Sequence, residues 1–129
     1  MNITTRQSGT TTILELVGDI TLYNTPDVRR AIVGLLKEKR VPCLLVNLRG
    51  VRYIDSSGVA SLVEGLKISR DMQVRFALCG LTKTAREVLE LTRLLRVFEV
   101  HETEEQALAE PNPSAASGNV AGRAANGIV

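Results

Sequence analysis

Aromatic residues are scarce in this chain: they make up 3% of its 129 residues, and tryptophan is absent. Single-stranded nucleic acids stack on aromatic side chains, so a surface of that kind is not expected. The 16 basic and 14 acidic residues nearly balance, and the basic residues form no cluster that predicts direct nucleic-acid binding. There is no bilayer-length apolar run and no signal-peptide pattern at the N-terminus. We therefore expect a cytoplasmic protein that contacts neither nucleic acid nor a membrane.

Potential metal ligands are equally few. The chain has one histidine, His101, and two cysteines, Cys43 and Cys79, which belong to no CxxC motif. A lone histidine far from both cysteines in sequence does not match the ligand spacing of a zinc site. Each cysteine lies within an apolar run, which is typical of a reduced thiol in the core of a cytoplasmic protein. The sequence predicts no metal and no other cofactor.

Motifs that carry catalytic chemistry are missing as well. There is no GxxxxGK[ST] loop to hold a nucleotide phosphate, no GxGxxG motif after a strand, and no GxSxG nucleophile elbow. The single histidine cannot be assigned to a Ser-His or Cys-His pair. We therefore do not expect an enzyme.

Hydrophobic residues make up 44% of the chain, enough for a globular core, and their spacing alternates between strand and helix patterns. The pattern predicts an initial hairpin that turns at Ser8-Gly9, then alternating helices and strands, in the order β-β-α-β-α-β-α-β-α. Thr25 is the predicted N-cap of the first helix, and 97–100 the last strand. This order indicates an α/β protein with a mixed sheet and helices packed against it.

The composition changes after Glu110. The segment 111–129 consists mainly of Pro, Ser, Gly, Ala and Asn, and has few large apolar residues to bury. Such a segment cannot offset the entropy cost of ordering, so we expect a domain at 1–110 and a disordered tail at 111–129.

The string VRYIDSSGVASLVEGL is the most informative part of the chain. It places Asp55, Ser56 and Ser57 where a strand-like segment passes into an amphipathic helix. The free backbone N–H groups and the dipole at a helix start favour negative charge, so a phosphate on a serine would be tolerated there. The simpler interpretation is that Ser56 or Ser57 is only the N-cap of that helix.

The chain resembles the STAS domain family of anti-sigma factor antagonists, also called anti-anti-sigma factors. Three segments carry the resemblance at the family's spacing: LVGDI, LLVNLRGVRYIDSSG and FALCGLTKTAREVLELTRLLRVFEVHETEEQAL. The most specific string runs from Asn47 to Gly58. The resemblance as a whole covers about residues 3 to 109 and implies the STAS fold.

The resemblance implies that Ser56, the serine directly after the aspartate, is phosphorylated. The partner would be an anti-sigma factor that is itself a serine kinase, and a PP2C-type phosphatase would reset the cycle. The unphosphorylated protein would bind the anti-sigma factor and free the sigma factor, as a monomer or weak dimer. The expected partner-binding residues lie around the DSSG turn and in the loop after the hairpin: Asp55, Ser57, Gly58, Thr21, Tyr23 and Asn24. One departure is Thr21, which stands where many members have an acid.

Two alternatives remain open from the sequence. A STAS regulatory subunit of a transporter or of a stressosome-like assembly would keep the fold without the kinase cycle. A receiver-like domain phosphorylated on aspartate would also alternate strands and helices. It would need a pair of acids for Mg²⁺ after its first parallel strand, where this chain has only Asp19.

Overall fold

Residues 1–109 are described by a computed structural model, and they form a five-stranded mixed sheet with four helices. The strands are Asn2–Ser8 (β1), Thr11–Val17 (β2), Cys43–Gly50 (β3), Arg75–Cys79 (β4) and Glu99–His101 (β5), side by side in that order. The helices are Thr25–Val33 (α1), Ser56–Asp71 (α2), Lys83–Leu91 (α3) and Glu104–Ala109 (α4). The predicted order of elements is confirmed, whereas the boundary at residue 110 and the predicted tail lie outside the described residues.

Among residues 1–109, the hairpin supplies the one antiparallel pair of strands. Ser8 pairs with Thr11 across a two-residue turn, and Gly9 occupies the left-handed region there, with φ of 59°. Glycine adopts this conformation without a steric penalty, which fixes the turn and the register of β1 on β2. The remaining strands pair in parallel, as expected for strands joined by helices.

The two faces of the sheet are covered unequally. Helices α1, α2 and α3 pack on one face, over buried side chains that alternate along the strands, including Leu14, Leu16, Leu44, Val46, Phe76 and Leu78. The opposite face is covered by the short helix α4, whose Ala107 packs against Ile13, Leu45, Ala77 and Cys79. Both faces of the central strands are therefore buried, in agreement with their near-continuous apolar sequence.

Helix α1 differs from the prediction at both ends. Thr25 is not the N-cap but the first helical residue, because its N–H already donates to the Thr21 carbonyl at 2.9 Å, and Asn24 takes the cap position. At the other end the helix continues into a π-helical segment, Gly34–Glu38, which the sequence pattern did not indicate. The N–H of Lys39 donates to the Gly34 carbonyl at 3.0 Å and closes this wider turn.

The last strand is also shifted from its predicted position at 97–100. Val97 donates its N–H to the Leu94 carbonyl at 3.0 Å, so the chain is still turning there, and pairing with β4 starts only at Glu99. Phe98 is buried beside Phe76, with ring centroids 6.4 Å apart. Its apolar character reflects this packing against the core rather than a place in the sheet.

A charged network lies on the α4 face of the sheet. The Arg75 guanidinium forms an ion pair with the Glu99 carboxylate and also donates to the Ala107 carbonyl in the last turn of α4, at 3.0 Å. His101 Nε2 lies 2.7 Å from the same carboxylate. Burial raises the pKa of Glu99, but the hydrogen bonds from Arg75 and His101 outweigh it, and the net pKa is lowered. Arg75 thus ties β4, β5 and α4 together.

Both cysteines are free and buried, as predicted. Burial raises the pKa of the Cys43 thiol and raises that of Cys79 to about 12, with a smaller contribution from the Glu104 charge. Because thiolates are the reactive form, we expect slow labelling of the native protein by a maleimide and fast labelling after denaturation in urea. Mass spectrometry of the labelled peptides would check each site, and rapid native labelling at either cysteine would contradict its burial.

Candidate functional site

The DSSG turn lies at the edge of the sheet where the parallel strands end. After β2 and β3, two segments of chain run side by side: the N–H of Ile20 donates to the Tyr53 carbonyl at 2.8 Å, and the N–H of Asp55 donates to the Ile20 carbonyl at 3.0 Å. This pairing brings the loop at 19–24 next to the first turn of α2. The structure therefore joins the two regions that the sequence singled out separately.

Asp55 holds both regions with one carboxylate. Its Oδ1 accepts from the N–H groups of Ser57 and Gly58, both at 3.0 Å, and from the Ser57 hydroxyl at 2.6 Å. Its Oδ2 accepts from the N–H of Leu22 at 2.9 Å. The hydrogen bonds from the Ser57 hydroxyl and the Gly58 N–H are the main cause of a lowered Asp55 pKa. Asp55 is thus the N-cap of α2.

The interpretation of Ser56 or Ser57 as the N-cap is therefore wrong, because Asp55 already satisfies the first amides of the helix. Ser56 is the first residue of α2, and it is exposed. Within residues 1–109 its hydroxyl has no hydrogen-bond partner. Ser57 differs, because it is half-buried and its hydroxyl is held by Asp55. The two adjacent serines are thus distinguished by their surroundings, and only Ser56 presents a free hydroxyl.

Gly58 lies beneath the site and is buried. A Cβ at this position would lie 2.6 Å from Ile54 Cγ1 and 2.7 Å from Ile20 Cγ2, closer than real contacts allow. Gly58 therefore permits α2 to start directly against the paired segments. The structure gives this residue a packing role in the site.

The loop at 19–24 is shaped by its own side chains. Asn24 Oδ1 accepts from the N–H of Thr21 at 2.9 Å, while Asn24 Nδ2 donates to the Asp19 carbonyl at 2.6 Å. The Thr21 hydroxyl accepts from the N–H of Tyr23 at 3.3 Å. Thr21 and Asn24 are both half-buried and set the loop conformation, whereas the Tyr23 side chain is 95% exposed.

Two exposed apolar side chains of the site were missed in the sequence. Leu22 is 70% exposed at the tip of the loop, and Tyr53 is 47% exposed two residues before Asp55. Leu22 was missed because a single leucine in an irregular segment gives no periodic signal. Its N–H contact with Asp55 also joins residues that are 33 positions apart in the sequence. We call Leu22, Tyr23 and Tyr53 the apolar rim; they are the exposed large apolar side chains of the loop at 19–24 and of the segment just before Asp55.

The arrangement favours recognition and modification of a hydroxyl group. Among residues 1–109 no three His, Cys, Asp or Glu side chains are grouped so that they could hold a metal ion. Ser56 presents a hydroxyl at the first residue of α2, next to the Asp55 carboxylate that caps the helix. No helix of the described residues is long and apolar enough to cross a membrane.

Substitution of Asp55 by alanine tests its double role. The change removes the N-cap and the contact with Leu22, so the melting temperature should fall by about 5 °C. The loop at 19–24 should also become more mobile, measured as faster amide hydrogen exchange at Leu22. Asp27→Ala is a suitable control, because Asp27 is exposed and its ion pair within the described chain is with Arg30 on its own helix. Unchanged exchange at Leu22 in Asp55→Ala would contradict the role given to Oδ2.

Comparison with known proteins identifies the class to which this fold and site belong. The model of the STAS domain family matches residues 2–107, nearly all of the described chain. An anti-sigma-B factor antagonist of Listeria monocytogenes is 32% identical over 90 residues, which cover 69% of this chain and 77% of the relative. The chain therefore belongs to the STAS domain family of anti-sigma factor antagonists.

Solved structures show the same fold. The unphosphorylated form of the anti-sigma factor antagonist SpoIIAA superposes with a TM-score of 0.72 at 19% identity, covering 90% of this chain and 97% of that one. The phosphorylated form of Bacillus SpoIIAA superposes with a TM-score of 0.65 at 20% identity, covering 83% of this chain and 96% of that one. A sulfate transporter family protein of Wolinella succinogenes superposes with a TM-score of 0.68 at 20% identity, covering 79% of this chain and 84% of that one. The predicted STAS fold is confirmed.

Proposed function

We propose that this protein is a phosphorylation-controlled antagonist of an anti-sigma factor. In its unphosphorylated state it binds an anti-sigma factor that is also a serine kinase, and thereby frees a sigma factor. Phosphorylation of Ser56 ends the binding, and a PP2C-type phosphatase restores it. The protein acts in the cytoplasm, without a cofactor and without catalytic activity of its own.

The free hydroxyl of Ser56 carries this proposal. Ser56 is exposed, while the capping task that such a serine often performs belongs to Asp55. A phosphate can therefore be added without breaking a hydrogen bond of the fold. It adds a charge of about −1.5 to −2 at a helix N-terminus, where the dipole favours negative charge. Phosphorylated SpoIIAA, a solved structure of the same fold, supports the proposal.

The apolar rim supplies the docking surface in this proposal. Leu22 and Tyr23 protrude from a loop that is hydrogen-bonded to Asp55, so they lie beside the phosphoacceptor rather than on a separate surface. Exposed leucine and tyrosine side chains are suited to burial in a protein interface. In this proposal one surface makes the partner contacts predicted for Asp55, Ser57, Tyr23, Thr21 and Asn24. Gly58 is buried beneath that surface and lets α2 pack closely there.

The proposal is tested by phosphorylation in vitro. The protein would be mixed with Mg-ATP and, one at a time, with each small ATP-binding anti-sigma factor encoded in the same genome. Peptide mapping by mass spectrometry should then place a single phosphate on Ser56, and Ser57→Ala should be modified as well as the wild type. Phosphate on Ser57 would overturn the assignment. If none of these proteins modifies the chain, the regulatory-subunit role in a transporter or stressosome-like complex becomes the better explanation.

A further inference from the structure

Two adjacent serines begin α2, and we propose that Asp55 is the residue that directs phosphorylation to Ser56 and away from Ser57. This inference rests on the proposed function, because it concerns the same reaction, and it adds a specificity-determining residue to it. The hydrogen bonds of one carboxylate oxygen carry it: among residues 1–109, that oxygen holds the hydroxyl of Ser57 and leaves that of Ser56 free.

The Ser57 side chain is fixed by the cap of the helix. Its hydroxyl donates to Asp55 Oδ1 at 2.6 Å, and the same oxygen accepts from the N–H groups of Ser57 and Gly58, both at 3.0 Å. Ser57 is half-buried, whereas Ser56 is exposed. A kinase that reaches the start of α2 therefore meets one accessible hydroxyl and one that is already bound.

A phosphate on Ser57 is disfavoured by the charge of Asp55. In the transfer, a serine Oγ forms a bond to the γ-phosphorus of ATP, ADP leaves, and the hydroxyl proton is released. On Ser57 that proton is the one shared with Asp55, so the product loses this hydrogen bond. It also places a charge of about −1.5 to −2 next to the carboxylate. Like charges this close repel, and solvent screens a partly buried pair less than an exposed one.

The contact with Asp55 does not activate Ser57 as a nucleophile. Oδ1 already accepts three hydrogen bonds, and the pKa of Asp55 is lowered, chiefly by the Ser57 hydroxyl and then by the Gly58 N–H. A carboxylate with a lowered pKa takes up a proton less readily, so it is a poor general base. The hydrogen bond therefore restrains the serine.

Asp55→Asn tests the inference, because it keeps an oxygen that can cap the helix and removes the charge. Each chain would be treated with Mg-ATP and the small ATP-binding anti-sigma factors of the same genome, and the phosphate would be located by mass spectrometry. The share of phosphate on Ser57 should rise at least about tenfold in Asp55→Asn. In a Ser56→Ala background, phosphate should appear on Ser57 only when Asp55→Asn is also present. The ratio of the two sites is internal to each chain, so it does not depend on the affinity for the kinase.

The control separates charge from loop mobility. Asp55→Asn also places an amide where Oδ2 accepted the N–H of Leu22, so it releases the loop at 19–24. Asn24→Ala loosens the same loop by removing the two hydrogen bonds that shape it, and it leaves the charge of Asp55 in place. Phosphate should stay on Ser56 in this variant, even if the overall rate falls. Its transfer to Ser57 would show that the loop, and not the carboxylate, selects the serine.

A double-mutant cycle tests the repulsion without a kinase. Ser57→Asp and Ser57→Asn differ in charge at nearly the same shape, and urea unfolding gives the ratio of their unfolding constants. This ratio should be at least about fivefold larger with Asp55 than with Asp55→Asn. Equal ratios would overturn the inference whether or not a kinase modifies the chain. Phosphate on Ser56 alone in both the wild type and Asp55→Asn would overturn this inference and leave the proposed function intact, whereas phosphate on Ser57 of the wild type would overturn both.

Discussion

Replacing Ser56 with aspartate should abolish binding of the anti-sigma factor while leaving the fold nearly as stable as before. At the start of α2 the new charge meets the positive end of the helix dipole, which contributes on the order of 0.3–1 kcal/mol to the fold. The adjacent Asp55 offsets part of this by repulsion. In the interface the same charge must be desolvated, which costs several kcal/mol when it is unpaired. Binding should therefore weaken by about 100-fold or more, since 1.4 kcal/mol corresponds to tenfold.

Titration calorimetry with the partner and thermal unfolding of the free protein would measure the two effects separately. Ser56→Asn has nearly the same shape as Ser56→Asp without its charge, so it should retain most of the binding. Ser56→Ala should bind constitutively and accept no phosphate. If Ser56→Asp binds as tightly as the wild type, the switch described above is wrong.

Substitution of Arg75 by leucine should cause the largest loss of stability. Arg75 is 5% exposed and its partner Glu99 is 19% exposed. The substitution therefore leaves a mostly buried carboxylate that, among residues 1–109, has only the His101 ring beside it. Breaking a buried ion pair from one side typically costs about 3–5 kcal/mol. The carbonyl of Ala107 loses its donor at the same time, which should loosen α4. Urea unfolding would measure the change in the free energy of unfolding.

Two controls make this result specific. Arg29→Leu removes a two-point ion pair with Glu64, but both side chains are well exposed, so the loss should be far smaller. The double variant Arg75→Leu, Glu99→Leu should recover much of the lost stability, because no buried charge is left unpaired. A double variant as unstable as Arg75→Leu alone would show that the ion pair is not the cause.

The same pair predicts a dependence of stability on pH. The Glu99 pKa is lowered in the folded protein from its ordinary value of 4.5. A lowered carboxyl pKa contributes stability that is fully present above the unfolded-state value and is lost as pH falls through the folded-state value. The free energy of unfolding should therefore decrease below about pH 4.5. In Glu99→Gln the free energy of unfolding should depend less steeply on pH in that range.

Much of the fold could be predicted from the sequence because local signals agreed with the tertiary structure. Helix α2 was predicted from the helical spacing of its apolar residues Val59, Leu62, Val63 and Leu66. Thr82 was predicted as the N-cap of α3, and its hydroxyl accepts from the N–H of Ala85 at 3.3 Å. The start of β5 and the π-helical segment could not be predicted. They depend on burial of Phe98 and on a wider turn, for which the sequence carries no periodic signal.

The site was predicted only in part, for a physical reason. The string DSSG identified the residues at the start of α2, but not which of them caps the helix. In the structure Asp55 is the cap, since its Oδ1 accepts from the N–H groups of Ser57 and Gly58. The string also carried no sign that the Leu22 N–H, 33 residues away in sequence, bonds to the same carboxylate. Tyr53 lies in the segment 50–55, which pairs with 18–20, and Leu22 lies in the loop just after 18–20, so the pairing brings both residues near Asp55. Long-range pairing of this kind has no local pattern.

The hydrogen bond from Leu22 to Asp55 provides a built-in spectroscopic reporter. An amide proton bonded to a carboxylate oxygen in an otherwise exposed loop should have a distinctive chemical shift and exchange slowly with solvent. Because that carboxylate adjoins Ser56, a phosphate there would change the field at the Leu22 amide without any change of fold. A single peak in a ¹H–¹⁵N spectrum would then distinguish the two states of the protein in a mixture, with no label other than ¹⁵N.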